Sequence, residues 1–357
     1  MHALERHEFS RVRAMARQDK LDCAAAAVVD GHSPGHVWVD DPAAPAAALV
    51  DTPEGAYLLG LPRDDFAQAL ADFIVDWLRP GGQGEDWWWF SLRCSEPEWA
   101  AAIREVLPAS RTAEEPREFY LCERAPVGEP QKIPAGYELI HVDRRLLQRE
   151  DLENVDRIRR AEISSFGSID AFLEKGFAFC VRHEDELASW NVCDCVSGAR
   201  AEIGIHTVEG HRQRGLASAV ATAAVQWGLS HGFDSVGWHC HAFNTASAAT
   251  AVRAGFRKVT DYTAFKICAR PADADVLKAT AALIEHRFQA STTWYDRAFE
   301  AVATCGPTAS YLLANRQRRA QHALRAACAC AFSGQAEAGT NFLDDAIDLA
   351  GIWQGGY

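Results

Sequence analysis

Residues 199–218, ARAEIGIHTVEGHRQRGLAS, constrain this 357-residue chain more than any other stretch. A strand-like run over 201–208 leads through the polar loop 209–213 into an Ala-rich helical pattern that continues to about 231. A strand, a loop and a helix start in that order make an anion site, because unpaired N–H groups and the positive end of the helix dipole point outward together. Gly215 lets the backbone approach a bulky diphosphate, Ala217 keeps the first turn uncluttered, and Arg212 and Arg214 add positive charge. The spacing Arg-x-x-Gly-x-Ala is neither the dinucleotide fingerprint nor the nucleotide loop that ends in Gly-Lys-Ser/Thr.

Further signals follow in order. Residues 235–240 (SVGWHC) read as a second strand, Asn244 starts a helix, and Gly255-Phe256 closes it. The loop and this succession resemble the GNAT N-acyltransferases, whose pyrophosphate loop has the pattern Arg/Gln-x-x-Gly-x-Gly/Ala. The resemblance implies an α/β (α+β) chain of GNAT fold, with a mixed, mostly antiparallel twisted sheet flanked by helices. It also implies acetyl-CoA as acyl donor. Thr207, Val208, Arg212, Gln213, Arg214, Gly215, Leu216, Ala217 and Ser218 would hold the cofactor, with Asn244 and Ser247 along its pantetheine arm. Asn244 also suits a plain helix cap. In the family, acyl-CoA lies between two splayed strands, so a bulge is expected near residues 206–208.

Glu202 occupies the strand position where several GNAT enzymes keep a general-base glutamate; the other reading is a salt-bridged strand residue. Strand alternation puts Glu202, Gly204 and His206 on one face. His239 is an acid/base candidate because imidazole titrates near neutral pH. Many GNAT domains carry a Tyr seven residues beyond the motif's Asn, which protonates the leaving thiolate. Here that position is Ala251, and Tyr262 is the nearest substitute. His239, Cys240 and His241 with Cys193 and Cys195 have ligand chemistry for zinc, but their spacings fit no standard motif, so no metal is expected. Val37–Asp41, Trp238–Ser247 and Asp261-Tyr262 also resemble the GNAT subgroup that contains the zwittermicin A resistance acetyltransferase.

Upstream, 1–130 alternates strands and helices without a second pyrophosphate loop and reads as a divergent GNAT-like N-terminal domain. Its tryptophans, Trp77, Trp87–Trp89 and Trp99, are expected to wall one side of the acceptor cleft. Residues 126–134 read as a linker, 135–270 as the catalytic domain, and 271–357 as a helical extension with a tetratricopeptide-like pair and Asp273 as an N-cap.

The net charge of −13 argues against a nucleic-acid partner. No apolar run is long enough for a membrane span, and the charged start lacks a signal peptide's apolar core. The eleven cysteines lack a repeated spacing and suit free thiols in a reducing cytoplasm. The excess of Arg over Lys and the abundant Ala suit a GC-rich bacterial gene. The reading is a cytoplasmic N-acetyltransferase acting on a small-molecule amine. Its rivals are a non-catalytic acyl-CoA binder and a protein acetyltransferase whose C-terminal helices recruit the target; a homodimer through those helices also stays open.

Overall fold

The computed structural model describes residues 1–18, 21, 23–79, 88–94, 96–125 and 132–350, without the side chains of 161–164. Trp87 and most of the expected linker lie outside the described residues. In chain order the elements are β1 (His2–Ala3), α1 (Arg13–Ala16), α2 (Cys23–Val29), β2 (His36–Val39), β3 (Ala47–Thr52), β4 (Gly55–Gly60), α3 (Asp64–Trp77), β5 (Trp89–Cys94), α4 (Pro97–Val106) and β6 (Thr112–Cys122). After the break come β7 (Tyr137–His141), α5 (Arg144–Leu147), α6 (Val155–Phe166), α7 (Ile169–Lys175), β8 (Ala178–His183), β9 (Glu186–Ser197), β10 (Arg200–Thr207), α8 (Leu216–Ser230), β11 (Ser235–His241), α9 (Thr245–Arg253) and β12 (Arg257–Cys268). Five helices follow: α10 (Pro271–Ile284), α11 (Phe288–Cys305), α12 (Tyr311–Ala314), α13 (Arg316–Ser333) and α14 (Ala336–Ala350).

The chain forms two compact units, each gathered from separated stretches. The first holds 1–61, 93–97 and 116–262. All twelve strands place residues in it, in the order β1-β2-β3-β4-β5-β12-β6-β11-β10-β9-β8-β7. Most neighbours are antiparallel, and β10 with β11 is a parallel pair, so the sheet is mixed as expected. β6 stands between β11 and β12, so a strand from before residue 126 completes the sheet beside the catalytic strands. The hairpin β3–β4 turns at Thr52, whose hydroxyl donates to Gly55 O at 2.7 Å and accepts from Glu54 N at 3.0 Å.

Among the described residues, two apolar clusters lie in this unit. One gathers Phe177, Val181, Val192, Ile203, Val220, Val225, Val236, Trp238 and Phe256 around α8 and the strands beside it. The other packs α2, a run of Cys, Ala and Val buried along its whole length, with Val37, Val50, Tyr57 and Cys195. α2 escapes the pattern of an amphipathic helix because every face of it is buried.

The second unit holds 62–92, 98–115 and 263–357. α3 and α4 carry apolar stripes, and Trp99 packs edge-on against Phe66 with centroids 6.0 Å apart. The C-terminal helices share a core of Val276, Tyr295, Phe299, Leu313, Cys330 and Phe342. Gly334, at φ 78°, ends α13 in the left-handed conformation and turns the chain into α14. Among the described residues no helix is long and apolar enough to cross a membrane.

Asp273 does not cap its own helix, which starts after Arg270 with Pro271 in the first turn. The fully buried Asp273 instead accepts from Ser310 Oγ at 2.6 Å, Leu312 N at 2.9 Å and Tyr311 N at 3.1 Å, so it anchors the start of α12. Asp273→Ala strands these donors, and we expect it to destabilise the second unit by about 2–4 kcal/mol, read from urea unfolding of the full chain.

Candidate active site

The site forms where β10 and β11 part. They pair only over Arg200–Glu202 and Ser235–Gly237, yet both run on, to Thr207 and His241. Beyond Glu202 the edge of β10 that faces β11 therefore has no strand partner. A cavity of about 270 Å³ occupies this fork, lined by Ile203, Gly204 and Ile205 on one side and by Trp238, His239, Cys240 and His241 on the other. Glu54, Arg93, Arg117, Asp194, Glu202, Asn244 and Ser247 complete the lining.

The expected bulge near residues 206–208 is absent; β10 and β9 pair regularly from Ile203 to Thr207. The irregularity falls at the fork. Glu202 pairs with Cys195 and Ile203 with Cys193, which leaves Asp194 as the extra residue on β9. The extra residue turns the Asp194 carboxyl over Gly204, where an added Cβ would meet Oδ2 at 2.7 Å. Burial, with the charges of Glu54 and Glu202, pushes this carboxyl well above the usual carboxylate range; Arg93 only partly offsets them. His206 does not line the cavity. Its ring lies 4.6 Å from that of Trp190, and its Nε2 is 3.2 Å from Arg157.

The three residues expected to be catalytic are brought together. Glu202 is 4% exposed, and its Oε1 lies 3.2 Å from His239 Nε2. The approach is too oblique for a formed hydrogen bond, so both atoms remain unpaired and buried. His239 Nδ1 is 3.1 Å from the Tyr262 hydroxyl, which accepts from Arg117 Nε at 2.9 Å. Tyr262 thus stands behind His239 rather than in the cavity lining. Burial pushes the His239 imidazole below its ordinary value; Glu202 pulls it up, and Arg93 and Arg117 push it down again. On the other side of Glu202, Cys195 Sγ donates to Oε2 at 3.4 Å. The Cys195 thiol is pushed well up, by its hydrogen bond with Cys23 and then by burial, and so stays protonated.

Ligand atoms of Cys23, Cys195 and Glu202 lie within 4.8 Å of one another, the one cluster of metal-ligand type among the described residues. As a hydrogen-bonded pair of thiols behind a carboxylate it provides Glu202 with a donor, and Cys23 Sγ itself reaches Arg200 O at 3.8 Å.

Gly237 makes the space for Glu202: a Cβ there would meet Glu202 Cγ at 2.8 Å and Phe119 Cε2 at 3.1 Å. Gly237→Ala is expected to displace the carboxylate and lower kcat about tenfold or more, with acetyl-CoA affinity little changed by calorimetry.

Four charged lining residues escaped the sequence reading. Glu54 sits in the β3–β4 turn and Arg93 on β5; Arg117 is on β6 and Asp194 on β9. Arg93 is 7% exposed, donates to the Tyr57 hydroxyl and lies 3.6 Å from Glu54. Burial works against its charge, but Tyr57, Tyr262, Glu54 and Glu202 outweigh it and hold the guanidinium positive. The signal for Arg93 and Asp194 was a lone charge inside an apolar strand, WWWFSLRC and WNVCDCV. Trp77, Trp88, Trp89 and Trp99, expected along the cleft, do not line this cavity.

The expected cofactor loop lies at the end of β10. Thr207 bonds across to Ser189 through their hydroxyls at 2.8 Å. Arg212, Gln213 and Arg214 are exposed. Gln213 (φ 63°) and Gly215 (φ 79°) are both left-handed, and Gly215 precedes α8 with no side-chain cap on the helix. The first amides of α8, from Leu216 to Ser218, therefore lack intrahelical partners. At the next helix, the Asn244 side chain caps α9 by accepting from Ser247 N at 3.1 Å, while Ser247 Oγ accepts from Trp238 Nε1 at 3.1 Å.

A mixed sheet with a parallel fork, a buried carboxylate at the apex and an uncapped helix start below it define a GNAT acetyltransferase. The family model for GNAT acetyltransferases matches residues 14–265, and the chain belongs to that family. An uncharacterized N-acetyltransferase from Bacillus subtilis (strain 168), YdfB, is 23% identical over 267 residues, covering 74% of this chain and 98% of its own. Among solved structures, a GCN5-related N-acetyltransferase-like protein from Streptococcus suis 89/1591 shares the fold, at 19% identity and a TM-score of 0.55 over 73% of this chain and 98% of that one. The family match ends before α10.

Proposed function

We propose that the protein transfers acetyl from acetyl-CoA to the primary amine of a small molecule by direct attack. The observation that carries this reading is the fork itself, with a 270 Å³ cavity that ends on the unpaired Oε1 of Glu202. The cofactor's diphosphate would sit on the amides of Gly215–Ser218, with Arg212 and Arg214 beside it. Its pantetheine arm would follow the unpartnered edge of β10, and Asn244 and Ser247 face the same space from α9.

The acceptor enters as an ammonium and must lose a proton before it can attack. Glu202 takes that proton, and the freed amine attacks the thioester carbonyl. The C–N bond forms, the C–S bond breaks, and the pair of electrons leaves on the CoA sulfur, which takes up the second nitrogen proton as the amide forms. His239, kept neutral by its burial and oriented by Tyr262, stands 3.2 Å from the Glu202 carboxylate and gives a route for the proton out of the site. Release of free CoA with a panel of small amines tests the reading. Binding of acetyl-CoA without acceptor-dependent CoA release would leave a non-catalytic binder.

A further inference from the structure

The cavity's charges are arranged in two different ways. Arg93 is already neutralised, since Glu54 lies 3.6 Å away and Tyr57 takes a hydrogen bond from it. Arg117 is not. Its contacts are the Tyr262 hydroxyl at 2.9 Å and His241 Nε2 at 3.4 Å, and among the described residues no carboxylate pairs with it. A guanidinium lining a small cavity without a carboxylate is a ready site for an anionic group on a ligand.

Arg117 and Glu202 stand at opposite ends of the fork. Glu202 is level with Gly237 on β11, and Arg117 is level with His241. Their side chains turn toward each other through His239 and Tyr262, by contacts of 3.2, 3.1 and 2.9 Å. That path of contacts limits the separation of carboxylate and guanidinium to on the order of 10 Å at most. A ligand that bridges them spends about 3 Å on a hydrogen bond at each end, which leaves only a few ångströms between its own charged groups. Both side chains line the same cavity in the fork. At the far end, Glu202 Oε1 and His239 Nε2 are buried polar atoms without a formed hydrogen bond, and both residues line the cavity.

We infer that the acceptor is a small amino acid or similar amino carboxylate, bound with its ammonium at Glu202 and its carboxylate on Arg117. This rests on the acetyltransferase reading given above. It makes Arg117 the residue that selects the acceptor, because an uncharged group opposite it would leave the guanidinium without a counter-charge inside the cleft.

The test compares free amino acids with their carboxamides and with the matching amines that lack the carboxyl group. It uses the full-length protein, saturating acetyl-CoA and CoA release as the readout. The amino acids should exceed their carboxamides in kcat/KM by about 10- to 100-fold. Arg117→Met should collapse that ratio toward one, chiefly through KM for the amino acids, and Arg117→Lys should restore part of it. The ratio is insensitive to a general loss of activity, so a damaged Tyr262–His239 arrangement does not imitate the result. Equal turnover of amino acids and carboxamides by the parent, or an unchanged ratio in Arg117→Met, overturns the inference while acetyl transfer stands. If acetyl-CoA binds by calorimetry and no member of the panel is acetylated, the acetyltransferase reading falls and this inference with it.

Discussion

Glu202→Gln should lower kcat by about 10²–10⁴ while acetyl-CoA binds nearly as before. The substitution keeps the shape of the side chain, which matters because Glu202 Cγ lies close against the backbone of Gly237. It removes the ability to accept a proton. Cys195 can still donate to the amide oxygen, so the thiol pair behind the residue stays in place. Steady-state kinetics with an acceptor, together with calorimetric titration of acetyl-CoA, separate the two effects. A variant with parental kcat at neutral pH would remove Glu202 from the chemistry and pass the proton to His239 or to water. His239→Gln offers the comparison: burial keeps this imidazole neutral near pH 7, so its removal should cost less than that of Glu202.

Much of the fork was legible because its signals are local. Strand, loop and helix follow one another within residues 199–218, and the Gly that starts α8 adopts the left-handed φ that makes it necessary. Glu202, His239 and Tyr262 were legible as single residues, and the resemblance to a known family supplied the reason to connect them. The other half of the cavity was not legible. Glu54 and Arg93 come from a turn and a strand about 150 and 110 residues before Glu202, and nothing in their local pattern says which strand they will adjoin. β6 reads as the end of an N-terminal stretch, yet it pairs with β11 residue for residue from Cys122–Val236 to Arg117–His241. Arg117 reaches the site only through that pairing. The bulge was misplaced for a related reason. It was expected on β10 because the cofactor was expected there, but the extra residue belongs to β9, where Asp194 interrupts an apolar run. Gly204 lines the cavity, whereas His206, two residues nearer the end of the strand, lies against Trp190 and Arg157. Asp273 shows the same limit in the second unit. Its type and position suit an N-cap, but its hydrogen-bond partners lie 37 to 39 residues away.

Gly215→Glu should abolish measurable acetyl-CoA binding, with affinity reduced at least about 100-fold, since opposing like charges at close range costs several kcal/mol. Two effects combine. Gly215 holds φ 79°, a conformation in which a side chain is strained by roughly 1–2 kcal/mol, and the first turn of α8 opens from it. The new carboxylate would also stand where the diphosphate approaches the free amides, and would itself satisfy the helix dipole that the cofactor needs. Strain and charge can be told apart with Gly215→Asn, since Asn tolerates the left-handed region and carries no charge. The Asn variant should keep a parental unfolding midpoint and lose only part of its affinity. The Glu variant should unfold at a slightly lower urea concentration and show no heat of binding. A Glu variant that binds acetyl-CoA as tightly as the parent would mean that the diphosphate does not sit on this loop, however closely the hexapeptide resembles the family pattern.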